Sequence, residues 1–241
     1  MPHHRRPMTG LSALAATALA CAGVAWAGTA SAQSDVTVFA GGKLDVADSA
    51  YAGATIGLPG SVDSKGLALR GAVFTGTYDY RSGPAEIDAD FTGAQAELVY
   101  RFGNGPTWGS VGVGYRYVDT DLSPADPGNR RDGGQGEMIV STDGGHVSGP
   151  WRFDWYGSYG FRLDDYDALV SLTHQAGSSG RLRVGMEVAA EGDTNYNAYH
   201  VGPMAGFKLD DRSEAQVSAG FSDGDNRDSQ AYLRLGFYRS F

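Results

Sequence analysis

In "GAQAELVYRF", residues 93–102, an apolar side chain stands at every second position from Ala94 to Phe102. Successive side chains of a β-strand point to opposite faces. Ala94, Ala96, Leu98, Tyr100 and Phe102 therefore share one face, and Gln95, Glu97 and Arg101 the other. "RLRVGMEVAAE" sets Leu182, Val184, Met186 and Val188 against Arg181, Arg183, Glu187 and Glu191. "PWRFDWYGSYGFR" sets Trp151, Phe153, Trp155, Tyr159 and Phe161 against Arg152, Asp154, Tyr156, Ser158 and Arg162. Alternation of this kind predicts strands beginning near Val36, Tyr51, Leu67, Ala89, Trp108, Gly134, Trp151, Tyr166, Leu182, Asn197, Ala215 and Ala231. The predicted count is about twelve, with about ten as the alternative if neighbouring segments merge.

A soluble sandwich would bury the apolar faces and wet the charged ones. A transmembrane barrel would turn the apolar faces to lipid and the charged ones to a lumen. Two features favour the barrel. The alternating runs reach the roughly 9–11 residues that a tilted strand needs to cross a bilayer. Aromatic residues also recur near the ends of the apolar faces (Tyr100 with Phe102, Tyr115 with Tyr117, Trp151, Phe161, Phe207), as interfacial girdles require. Closure pairs every backbone polar group, which lipid demands. The expected fold is an all-β, closed antiparallel transmembrane barrel. An even strand count puts both termini on one side, the periplasm.

The first 32 residues read as a cleaved signal peptide. Arg5 and Arg6 precede an apolar stretch from Leu11 to Ala27, and "ASA" at 30–32 supplies small residues for cleavage. A membrane anchor is disfavoured by the short run, which Thr17 and Gly23 interrupt. The sequence after the arginine pair fits a twin-arginine signal poorly, and Ala18 before Cys21 fits a lipoprotein poorly. The barrel is then residues 33–241, one domain, without its only cysteine and hence without disulfides. Removing two arginines takes the net charge from −9 to −9 − 2 = −11. An acidic chain of this kind excludes nucleic acid as a partner. Outer-membrane lipid is the expected surroundings.

The last strand, "AYLRLGFYRSF", ends on Phe241 with Leu233, Leu235 and Phe237 on one face. It resembles the assembly signal of bacterial outer-membrane proteins, from which Arg239 departs. Connections on the terminus side are short: "PGSVDSK", "GNGP", "GSSG" and "LDDRS". Those on the other side include "YRSGPAEID", "EGDTN" and "SDGDNRDS". The longest is taken from "YVDTDLSPADPGNRRDGGQGE", residues 117–137, whose prolines cannot continue a sheet ladder.

"GVGYRYVDTDLSPADPGN" (Gly112 to Asn129) resembles the central segment of the BcsS-type cellulose biosynthesis proteins. "LRVGMEVAAEGDTNYNAYHVGPMAGF" and "VSAGFSDGDNRDSQAYLRLGF" extend the resemblance through the second half. The resemblance implies an outer-membrane accessory of bacterial cellulose biosynthesis or export, without an established enzymatic role. Its partners would be cellulose or components of the secretion machinery. A general small porin and a lipid-modifying enzyme are the alternatives.

Candidate outer-loop contacts are Asp119, Asp121, Pro124, Asp126, Pro127 and Asn129. Residues 122–131 are expected to lie outside the cell and to serve function. The candidate lumen network is Arg70, Glu97, Arg101, Arg116, Arg152, Asp154, Arg183, Glu187 and Arg234, with Glu137, Arg162 and Arg181 on the same predicted face. A paired, interior-filling network is preferred over a polar conduit, because buried charges must be paired. No catalytic, cofactor or metal residues are assigned. "HVS" at 146–148 has a phospholipase-like spacing, but it falls in a predicted turn. His174 is placed on the lipid face and His200 in the lumen beside Tyr196 and Asn197. Neither has an assignable serine or carboxylate to complete a catalytic set. Asp119, Asp121, Asp223, Asp225 and Asp228 could offer oxygen ligands, yet they lack the spacing of a calcium loop.

Overall fold

The computed structural model describes residues 35–241 apart from 46, 60–64, 195 and 226–228. The predicted signal peptide, residues 1–32, lies outside the described residues. Twelve strands run in order: β1 (Val36–Leu44), β2 (Ser49–Gly57), β3 (Gly66–Ser82), β4 (Ala85–Asn104), β5 (Thr107–Ser123), β6 (Gly133–Ser148), β7 (Trp151–Gly160), β8 (Tyr166–Ala176), β9 (Leu182–Gly192), β10 (Asn197–Lys208), β11 (Ser213–Gly224) and β12 (Gln230–Ser240). Each pairs antiparallel with its chain neighbours, and β1 closes the ring on β12, with Ala40 opposite Phe237. Closure leaves no sheet edge.

The faces follow the pleat. Leu98 is 45% exposed and Glu97 beside it only 2%. The outward rows are apolar and exposed on strand after strand: Leu69 and Val73, Val111 and Val113, Val170 and Leu172, Met186 and Val188, Leu233 and Leu235. So much apolar surface facing outward around a closed ring is a lipid belt. Exposed aromatics border it. Tyr100, Phe102, Trp151, Phe207 and Phe241 lie toward the terminus-side end, and Tyr115, Tyr117, Phe161, Tyr199 and Phe221 toward the other. At the far girdle, Tyr115 and Tyr117 lie against Gly136 and Gly134 on β6, where an added Cβ would overlap the phenol oxygens. Glycine is required there because the ring takes the side chain's place.

One stretch of the ladder is interrupted. The β10–β11 register passes from Val201↔Phe221 to Met204↔Ser218. Pro203 lies in the gap and has no N–H to donate. Its other edge pairs with Met186 on β9.

Strands β3 to β6 run 16–20 residues, whereas the others run 9–12. The excess stands beyond the far girdle, and there the faces exchange character. Asp88, Asp90, Asp119 and Asp121 point outward and are exposed. Ile87, Ala89 and Val118 point inward and are buried. This corrects two expectations. "YRSGPAEID" is not an outer loop: β3 and β4 pair through it to Ser82↔Ala85, leaving a two-residue turn with Gly83 at φ 60°. Asp119 and Asp121 belong to β5, opposite Thr92 and Asp90 of β4. The connection itself is residues 124–132, so Leu122 and Ser123 also fall in the strand.

Candidate functional site

The inward rows carry the polar side chains, and at the terminus-side end they meet around Glu214. This carboxylate accepts from Arg183, from the Tyr238 hydroxyl at 2.9 Å and from Gln216 at 3.1 Å. Arg152 bonds Asp154 at 2.7 Å and stands 3.6 Å from Glu214. Arg183 also reaches Thr173 at 3.0 Å and Asp154 at 3.7 Å. The guanidinium of Arg152 lies 4.9 Å from the Trp108 ring centre. Nearby, Arg101 bonds Asp35 at 2.8 Å, and Arg70 bridges Ser110 and Asp143. Removing these ions from water is costly unless each has a close partner. Strand-to-strand chords across the lumen supply those partners.

At mid-height, Glu97 accepts from Ser141 and from Gln95. Arg234 donates to Glu187 at 2.8 Å, and Ser218 donates to the same oxygen at 3.0 Å. Toward the far end, Arg116 pairs with Glu137 at 2.7 Å and with Asp165 of the β7–β8 turn. Opposite them, Lys43 pairs with Glu191 and, at 3.3 Å, with Asp45. His200 is buried and bonds Asp45 at 2.8 Å. Burial opposes the charge of Asp45, but the His200 hydrogen bond and the Lys43 charge outweigh it and hold the carboxyl below its usual range. All nine lumen candidates thus face inward.

Arg162 and Arg181 do not. β7 ends at Gly160 and β9 begins at Leu182, so both arginines fall in turns and are exposed. The Asp45 partner of His200 and the hub Glu214 were missed from sequence. Asp45 and His200 are 155 positions apart, and only ring closure brings them together.

The connection 124–132 is tied to the far mouth. The Tyr80 hydroxyl donates to Asp126 at 2.9 Å and accepts from the Asn129 amide at 2.8 Å. Pro124 and Pro127 stand exposed on the crest. Arg131 reaches Asp193, between β9 and β10, at 2.7 Å, and comes within 4.0 Å of Asp165. Tyr78 on β3 stacks on Tyr196 with ring centres 6.4 Å apart. These contacts join opposite sides of the ring across the mouth. Arg131 was missed as a tie because its partners lie in two other connections.

The remaining polar candidates are scattered. "HVS" belongs to β6 and not to a turn; His146 is exposed and bonds Thr107 at 2.7 Å. His174 packs edge-on against Trp151 at 4.7 Å. Asp223 is in β11, Asp225 follows it, and Asp228 lies outside the described residues. Among the described residues, no group of three or more histidine or acidic side chains is placed to hold a metal.

The fold is similar to known barrels. The transport unit of the autotransporter AIDA-I from Escherichia coli matches with TM-score 0.52 and 10% identity, over 88% of this chain and 92% of that one. The KdgM porin matches with TM-score 0.47 and 10% identity, over 85% of this chain and 99% of its own. No curated protein matches the chain. A closed ring with a lipid belt and two aromatic girdles is the form of a bacterial outer-membrane barrel, and this protein is one. The family model for cellulose biosynthesis protein BcsS matches residues 37–241, from β1 to the last residue. The chain belongs to the BcsS family of cellulose biosynthesis proteins.

Proposed function

We propose that this barrel is a non-catalytic accessory of cellulose production, with both termini in the periplasm and the 124–132 connection at the cell surface. In this role it presents Asp126, Asn129 and the two proline crests as a surface for the glucan or for other secretion components. Membership of the cellulose biosynthesis family over the whole barrel carries the proposal. The orientation is supported by the long β3–β6 extension, which stands at the end away from the termini. Outer-membrane barrels keep short turns on the periplasmic side and longer structure outside. The Tyr80 anchoring of Asn129 and Asp126 supports a fixed surface rather than a loose loop, and fixed loops on rigid scaffolds commonly carry function.

Replacing residues 124–130 by a short glycine-serine turn, with Arg131 kept on Asp193, tests the proposal. Surface connections tolerate changes of length, since closure entropy varies slowly with loop size. The variant barrel is expected to insert and to remain heat-modifiable on a denaturing gel, while surface cellulose falls. Normal cellulose with a normally inserted variant would refute the surface role.

A further inference from the structure

One inward aromatic side chain of the lumen, Tyr51, takes no part in the ion-pair network and stays partly exposed. Tyr51 of β2 is opposite Gly41 of β1, in the same inward row as the buried Lys43. Its ring lies against Gly41, where an added Cβ would fall 2.6 Å from the phenol carbon. The phenol end of the ring is thus seated on glycine. Yet the side chain is 40% exposed, although it points into the barrel. An inward tyrosine with that exposure borders open, water-accessible space. Arg234 of β12 and Glu187 of β9, paired at 2.8 Å, and Asp167 of β8 stand on the inward rows of the same lumen. Asp167 is on β8, six strands from β2 in a ring of twelve, and so faces it from the opposite wall. Tyr156 of β7 lies one step along the inward row from Ser158, the partner of Asp167, and like Asp167 is half-buried.

An inward aromatic ring that rests on glycine, has Phe39 6.4 Å away and stays partly exposed suits the C–H face of a pyranose ring. The Arg234–Glu187 pair and the Asp167 carboxylate suit the ring's hydroxyls. Mostly apolar or aromatic walls with a few fixed polar groups are the usual makeup of a small-molecule site. With Glu187 paired to Arg234, Asp167 is the surplus charge of these walls, and it disfavours an anionic sugar because like charges in a confined lumen repel. We propose that the space bounded by Tyr51, Tyr156, Asp167 and the Arg234–Glu187 pair is a saccharide subsite for a neutral β-linked glucan. The β-linkage rests on the cellulose role proposed above, whereas the neutral sugar class follows from the walls.

The test is calorimetric titration of the purified full barrel with cellopentaose, in a zwitterionic detergent free of sugar. A pentameric uronate serves as the anionic control. Saturable binding of cellopentaose is expected, with much weaker binding of the uronate. Tyr51→Ala should weaken cellopentaose binding about ten-fold or more, the scale of one lost aromatic stacking contact. Tyr51→Phe keeps the ring and should bind within about two-fold of wild type. Heat-modifiable migration verifies that each variant is folded. No binding by the folded wild type, equal binding by Tyr51→Ala, or preference for the uronate would overturn the subsite. Loss of cellulose on gene deletion without cellopentaose binding would refute the subsite alone. Binding together with normal cellulose in the deletion strain would refute the accessory role and keep the subsite.

Discussion

Glu214→Ala is expected to destabilise the barrel by about 3–5 kcal/mol, the cost of leaving buried charge without its partner. Glu214 is 1% exposed and is the carboxylate on which Arg183, Arg152, Tyr238 and Gln216 converge. Its removal strips Arg183 of its closest anion and leaves Arg152 with Asp154 alone among its ion-pair partners. The temperature at which the folded band disappears from an unboiled gel should fall, and the denaturant midpoint with it. Glu214→Gln should lie between wild type and alanine, because the amide oxygen can still accept from Tyr238. A midpoint unchanged in the alanine variant would mean that water screens the cluster. Its pairs would then resemble surface ones, worth about 0–1 kcal/mol.

The second large effect separates the two faces at adjacent positions. Leu98→Arg places a guanidinium on the lipid belt of β4 and should cost about 2–4 kcal/mol near the bilayer midplane. Assembly into membranes should drop, and the heat-modifiable fraction with it. Glu97→Gln changes a side chain that faces the lumen and accepts from Ser141 and Gln95. The amide can keep one of those bonds, so insertion should be affected less. A one-residue slip exchanges every side chain between faces. If the glutamine variant failed to insert while the arginine variant assembled normally, the β4 register would be wrong by one.

Where lipid sets the rule, the fold is legible in the sequence. Predicted starts at Val36, Trp151, Tyr166, Leu182 and Asn197 coincide with the observed strands. Within the bilayer, apolar means outward, and the period of two is enough. Beyond the far girdle the solvent is water and the rule reverses. There Ile87 and Ala89 turn inward while Asp88 and Asp90 turn outward. The alternation persists with opposite meaning, so a single rule of faces reads the far ends of β3, β4 and β5 as loops, and Asp119 and Asp121 with them.

The site was legible as a face but not as a set of contacts. Alternation places Arg183 and Glu187 in the lumen, because every other residue of β9 must point there. It does not say that Arg183 meets Glu214 or that Lys43 meets Glu191. Those pairs are chords between strands far apart in sequence, fixed by strand number, tilt and closure. Tyr51 shows the same limit. Its inward direction follows from its partner Gly41, but the space beside it depends on what the opposite wall at Asp167 leaves empty.

Surface cellulose in a strain that keeps its synthase but lacks this gene tests the central claim most directly. The quantity to compare is extracellular glucan, from the deletion strain and from the same strain carrying the gene in trans. A clear loss on deletion, restored by the gene, is the predicted result. Unchanged extracellular cellulose in the deletion strain would contradict an accessory role in cellulose production.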